Sequence, residues 1–478
     1  MFRSVIISVI VFFVIIGVPS YYDVPFQFEF YFFSALTSSL AVLVVNLSPS
    51  KDAFESIKLP LLLFAISYAA APVFITETDV FKDSFYQPLN SGLFEYGAKV
   101  VFFCELTFLA GYYLSAITFG VNRTVVGEVG KLQGSDLAST KNTRLFWFSV
   151  FVLLVGLLSY ISLVLQSGGI GHFLSYSGGR GEIFSGTFGA FYWGAFFMLS
   201  GMVMLIASFL PNYKFIALAA VLCVSGAYFL FQGRSLALAP MFCGLILFHY
   251  FIKRLSGWFV VSLSLVGIIL ASFFGFFRTI ENKSKVYQDP LFFISYFSEN
   301  IGEFLQKTII SNIQQFDLFM VAVIYVEKTG DLLDGATLTN WLEPLDRLLH
   351  GELLDSVHAG KFLLQVVDPE FKALETAASP SLIGELYINY SAIGSLFGFF
   401  LYGFILRSLY NPIARKTASK TYYAFYTYCL WVFSKSIVDG TMLWFKLATF
   451  AAPIILFMLF MDKKEVRQYP EKKSLFNQ

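Results

Sequence analysis

Charge is what this sequence has least of. Only 14% of its 478 residues are Asp, Glu, Lys or Arg, against 57% hydrophobic, whereas a soluble domain carries about a quarter charged residues. That shortage excludes an ordinary water-soluble chain. The net charge of +1 excludes the basic balance that binding to nucleic acid needs. Four cysteines (Cys104, Cys223, Cys243 and Cys429) fall inside apolar stretches with no paired spacing. This excludes a disulfide framework and a thiolate metal motif, and leaves them as small buried hydrophobes. No dinucleotide fingerprint, phosphate-binding loop, HExxH or nucleophile elbow stands in a suitable context. Barrel-type alternation is missing too.

What is present is apolar length. Mean hydropathy is +0.68, and runs of about 20 residues, enough to cross a bilayer as helix, recur from end to end. The class is all-α, a polytopic membrane protein. The pattern predicts about twelve transmembrane helices, near 4–20, 26–47, 59–75, 94–119, 145–167, 187–210, 215–232, 236–252, 257–277, 382–409, 421–437 and 442–461. The first follows Arg3 and reads as an uncleaved helix, because no small-x-small site precedes Tyr21. One set of short loops holds Lys51, Lys58, Arg123, Lys131, Lys141, Arg144, Lys214, Lys253, Arg254, Arg415, Lys416 and Lys420. That bias makes these loops, and both termini, cytoplasmic. The division is then 1–277 (helices one to nine), 278–381 (a large external loop with helical apolar spacing, lying on the membrane as a cap), 382–461 (helices ten to twelve) and 462–478 (a basic cytoplasmic tail). Segment 309–326 is apolar enough to be a further span. No internal repeat is visible, which disfavours a transporter built from one.

Scarce charges inside or beside spans are functional candidates. Arg180 and Glu182, in "SYSGGRGEIFSG", open the sixth span. Arg234 sits in "FQGRSLALAP" at the turn between spans seven and eight. Arg278 ends the ninth, and Glu385 starts the tenth in "SPSLIGELYINYSAIG". Three arginines at one membrane face suit an anionic head group such as a lipid diphosphate, because a guanidinium fork pairs bidentately with phosphate. Glycines before Arg180 and Arg234 allow close approach of backbone. Each arginine alone also fits a residue snorkelling to head groups, and Arg180 and Glu182 also fit a simple ion pair. Glu95, Lys99 and Glu105 lie in the fourth span, with Glu95 and Lys99 spaced to pair. His350 and His358 stand eight residues apart in the cap, as solvated residues or on one helix face. His172 and His249 read as interfacial.

In layout, the chain resembles the oligosaccharide repeat-unit polymerases (Wzy-type O-antigen polymerases), with local likeness in "GGRGEIFSG", "FLFQGRSLALAP" and "PSLIGELYINYSAIGSLFGFFLYGF". The resemblance implies a GT-C-class fold and a metal-independent glycosyltransferase without cofactor in the bacterial inner membrane. Such an enzyme joins undecaprenyl-diphosphate-linked oligosaccharides at the periplasmic face. It also implies a chain-length-regulating co-polymerase as partner. For that chemistry Arg180, Arg234 and Arg278 are the candidates to meet the leaving diphosphate, with Glu182 orienting Arg180. Glu385, Asp317 and His358 are candidates to orient or deprotonate the acceptor hydroxyl, and Tyr387, Asn389 and Tyr390 to contact sugar. The family's arginine-to-glycine spacing is not clearly matched after Arg180. Rival readings are a lipid-linked oligosaccharide flippase, an O-antigen ligase and a non-enzymatic scaffold.

Overall fold

The structure is a computed structural model. It describes residues 2–17, 28–48, 52–69, 91–119, 143–169, 194–210, 212–230, 234–257, 315–338, 359–367, 381–440 and 442–461, with a few isolated positions between them. Among the described residues every regular element is helical. In chain order these are α1 (Phe2–Gly17), α2 (Phe28–Leu47), α3 (Lys58–Phe64, continued by a π-helical turn Ala65–Ala69), α4 (Ser91–Thr118), α5 (Thr143–Gln166), α6 (Phe197–Phe209), α7 (Lys214–Leu230), α8 (Arg234–Phe251), α9 (Gln315–Thr329), α10 (Ala359–Val367), α11 (Leu382–Ala414), α12 (Lys420–Asp439) and α13 (Met442–Phe460). Four are long and apolar enough to cross a membrane: Phe28–Leu47, Gly92–Thr118, Thr143–Gln166 and Leu382–Ala414. The lipid-suited surface is visible on α5, where Trp147, Phe151, Leu158 and Leu165 point outward while Leu145, Val152 and Leu163 are buried. The ninth sequence-predicted span lies outside the described residues.

Among the described residues the two largest apolar cores both include α12. One joins α5, α6, α7, α8 and α13. The other joins α2, α3, α4, α9 and α11. The tightest crossing lies between α4 and α11. A Cβ on Gly111 would collide with the Phe400 carbonyl, and one on Gly403 with the Phe108 carbonyl. Without a strong hydrophobic drive between helices in lipid, such close backbone approach supplies the packing energy.

Several of the described basic residues gather at one end of the bundle. There the 52–57 loop meets the C-terminal end of α8 through His249 and Tyr250, and the lower parts of α11 and α12 through Tyr410 and Tyr426. Lys58, Lys253, Arg254, Arg415, Lys416 and Lys420 all belong to this end. At the opposite end stand Tyr96, Glu327 and Tyr387.

Four expectations change. The tenth span is not continuous: Tyr390 (φ −140°, ψ 16°) and Ser391 (φ 59°, ψ −160°) break it, and the helix then runs on to Ala414. Most of α9 falls in segment 309–326, and it is wedged into the bundle instead of lying over it. Phe316, Phe319, Met320 and Val323 are buried, and Phe316 stacks with Phe30 and Phe94. Cys223 faces outward while Cys104, Cys243 and Cys429 are buried. His249 is not interfacial but fully enclosed.

Candidate functional site

The break in α11 isolates a short helical arm, residues 382–390, that carries four of the sequence-predicted site residues. Ser381 caps it, its Oγ accepting the Gly384 N–H at 3.2 Å. Both flanking serines hold backbone conformations normally left to glycine: Ser381 at φ 58°, ψ 157° and Ser391 at φ 59°, ψ −160°. Each costs about 1–3 kcal/mol, and such strain persists only where the surroundings over-determine it. Those surroundings are specific. Gly384 packs against the α9 backbone at Leu318 and Phe319. The Tyr68 hydroxyl, from the π-helical turn, donates to the Ile437 carbonyl at 2.7 Å and lies against Ser381. π-helical turns and strained residues both concentrate at functional sites.

The arm is tied to the loop that follows α9. The Leu333 N–H donates to the Ile388 carbonyl (3.0 Å), and the Gly335 N–H to Asn389 Oδ1 (2.8 Å). Asn389 Nδ2 in turn donates to Thr337 Oγ1 and to the Glu385 carbonyl. Both amide hydrogens and the amide oxygen are therefore occupied within the protein. Asn389 holds the loop in place and has no amide hydrogen left over for a sugar. Tyr387 is fully buried; its hydroxyl lies 3.3 Å from both Tyr96 Oη and Glu327 Oε1, and its ring meets Phe319 edge-on at 5.7 Å. Tyr390 is different. Its side chain is 43% exposed, and its hydroxyl reaches over Gly335 so closely that a Cβ there would strike it. Gly335 also has φ +90°, so glycine is required twice over. Of the three proposed sugar contacts, only Tyr390 presents substantial surface. Glu385 is buried in the first turn of the arm.

Asp317 falls on α9, next to the stretch packed on Gly384, and Arg234 is the first residue of α8; their side chains are outside what the structure describes. Arg180, Glu182, Arg278 and His358 lie outside the described residues. Glu385, Tyr387, Asn389 and Tyr390 are thus brought together by one arm. The predicted ion pair between Glu95 and Lys99 forms at 4.0 Å, with Lys99 also over the Phe33 ring.

A second polar cluster, at the basic end, was missed from sequence. Asp52 accepts hydrogen bonds from Tyr410 (2.8 Å), Tyr250 (2.9 Å) and the Phe54 N–H (2.9 Å). The two tyrosines share Oδ2, while His249 Nε2 stands 3.0 Å from Oδ1, the oxygen that accepts the Phe54 N–H. Because His249 Nδ1 accepts the Leu255 N–H at 2.9 Å, the neutral ring carries its hydrogen on Nε2, facing the carboxylate. Burial pushes the Asp52 carboxyl up, but His249, Tyr410 and the Phe54 N–H outweigh it and hold the group below its ordinary range. Three residues on, Glu55 accepts from Ser48, from Tyr112 (3.2 Å) and from Arg407 (3.4 Å), with Lys58 at 3.9 Å. Here burial wins and pushes the carboxyl up against those partners. The Arg407 guanidinium also donates to Tyr112 Oη (3.2 Å) and packs against the Tyr112 and Tyr410 rings at 5.3 and 5.4 Å. The cluster ties the 52–57 loop to α4, α8, α11 and α12.

No family model matches this chain, and no characterised protein or solved structure is significantly similar to it.

Proposed function

We propose that this protein polymerises undecaprenyl-diphosphate-linked oligosaccharides into a surface polysaccharide at the external face of the bacterial inner membrane. The observation that carries the reading is the strained arm 381–391. It places a buried acid, Glu385, one turn or so from an exposed aromatic, Tyr390, at the end of the bundle away from the basic loops. Under the positive-inside rule that end is external; the twelve-span layout is read from the apolar runs, and the GT-C class is what the resemblance to repeat-unit polymerases implies. In the reaction, an acceptor hydroxyl of a new lipid-linked repeat attacks the anomeric carbon of the growing chain. The bond from that carbon to the diphosphate oxygen breaks, and undecaprenyl diphosphate leaves. Glu385 takes the hydroxyl proton, Tyr390 offers a ring face to a pyranose, and Arg180, Arg234 and Arg278 meet the charge that develops on the diphosphate. A chain-length-regulating co-polymerase is the partner this reading entails.

Deleting the gene and separating the surface polysaccharide on a gel tests it. The expected product is lipid core capped with a single repeat, restored to a ladder by the wild-type chain but not by Glu385→Gln, Arg180→Ala or Arg278→Ala at equal expression. A normal ladder in the deletion strain removes the reading. Polymer left on the carrier lipid would indicate a ligase instead. One observation favours a flippase as the second reading: a broken helix together with an acid in mid-membrane, Glu105, is a transporter's pattern. Single repeats trapped at the cytoplasmic face would select it.

A further inference from the structure

Glu105 stands near the middle of α4, about 20 Å of helix from either end at 1.5 Å per residue. Its residue is 0% exposed. Among the described residues neither carboxyl oxygen has a hydrogen-bond partner. The walls around it are apolar: Pro60, Leu61 and Phe64 of α3, Phe108 of α4, Phe399 of α11 and Ile437 of α12 line, together with Glu105 itself, a narrow crevice. An ionised carboxylate in such a place, with no cation and no donor, costs many kcal/mol, far more than the folded state has to spare. A neutral acid there is still an unsatisfied donor, and a native structure retains few of these without a use. Leucine or methionine would fill the same space at no such penalty. The crevice is too tight for a sugar, a phosphate or a lipid chain. The one ligand it fits is a proton.

The surroundings also supply a way in. Just below Glu105, α4 and α11 are clamped backbone to backbone at Gly111 and Gly403, so that wall cannot give. The opposite wall is α3, which carries Pro60 within its first turns and gives way to the π-helical turn Ala65–Ala69 directly after Phe64. Of the elements that line the crevice α3 is the shortest and the least regular, so opening is assigned to that side, against the Tyr68 and Lys58 hydrogen bonds that hold its two ends.

We propose that Glu105 is an intramembrane proton-binding site, neutral in the closed bundle and exchanging its proton with water when α3 separates from α4. This goes beyond the activity proposed above and holds whether the chain is a polymerase or a flippase.

Infrared spectroscopy of the purified full-length chain in lipid vesicles tests it. The expected spectrum contains the high-frequency carbonyl stretch of a carboxylic acid that makes no hydrogen bond. That band is lost in Glu105→Gln and shifts down within minutes of transfer to deuterium oxide. A merely structural acid would give the band without the isotope shift after overnight exchange, and that result overturns the proposal. Absence of the band in the wild type, or a band that Glu105→Gln leaves in place, overturns it as well. Should Glu105→Gln fail to fold, Glu105→Asp must move the band. A hydrophobic carbodiimide, which adds only to protonated carboxyls, must then label the wild-type peptide containing Glu105; an unlabelled peptide overturns the assignment equally.

Discussion

The two ends of the bundle spend their polar residues in opposite ways. At the basic end, Asp52, Glu55, His249 and Arg407 are buried, and hydrogen bonds join loop 52–57 to four helices. At the other end, the 382–390 arm is held by α9, by loop 330–338 and by Tyr96, is flanked by two strained serines and exposes Tyr390. The basic end is built as a lock, since a buried network with most of its members paired fixes one arrangement. The arm stores strain where a ligand could use it. The contrast teaches that in this chain the most elaborate electrostatics mark the closed end, and the site has to be sought where the backbone is unusual.

The largest effect is expected from Arg407→Leu, which leaves Glu55 buried beside Tyr112 without its guanidinium. Removing one partner of a buried pair costs about 3–5 kcal/mol, read as a drop in the thermal unfolding midpoint of the purified protein. An unchanged midpoint would show that the basic end is not a lock. Asp52→Asn comes next, at about 1–3 kcal/mol at neutral pH. Its sign with pH follows from the direction of the shift. Asp52 is held below its unfolded range, so its contribution is present above the unfolded carboxylate value and disappears as pH falls through the folded one. The penalty of Asp52→Asn should fade over that acidic window in pH-resolved unfolding. Glu55 is shifted the other way, its charged form opposed by burial, so Glu55→Gln should cost less than Asp52→Asn at neutral pH, with the gap closing on acidification. Equal costs at neutral pH would contradict the two opposite shifts.

Smaller effects belong to the arm. Gly335→Ala forces a side chain into the Tyr390 hydroxyl at φ +90° and should cost about 1–3 kcal/mol. It should show first as faster proteolysis within 330–338, before any change in global unfolding. Ser391→Gly removes the positive-φ strain and should raise stability by about 1 kcal/mol. If polymer synthesis falls while stability rises, the strain serves function; if both rise or only stability does, it does not.

Much of this was legible along the chain. Charge scarcity and apolar runs gave the all-helical class with helices apolar enough to cross a membrane, and the described helices α2, α4, α5, α7 and α8 fall close to predicted segments. The four-residue spacing of Glu95 and Lys99 gave their pairing. The arm residues Glu385, Tyr387, Asn389 and Tyr390 were picked out because an acid, an amide and two tyrosines are conspicuous at the start of an apolar helix. The break itself was not legible, because Tyr390–Ser391 contains no proline or glycine to announce it. It exists because α9 and loop 330–338 hold the arm from outside.

Local chemistry thus decided helical class and segments, since apolar length acts on each stretch by itself. Tertiary structure alone decided which acids matter. Glu55 meets Arg407 across 352 residues of sequence, and Glu105 stands in an apolar crevice because α3, α11 and α12 close on its own helix. The cost of a buried charge depends on what lies on every side of it, and no window of sequence contains that information.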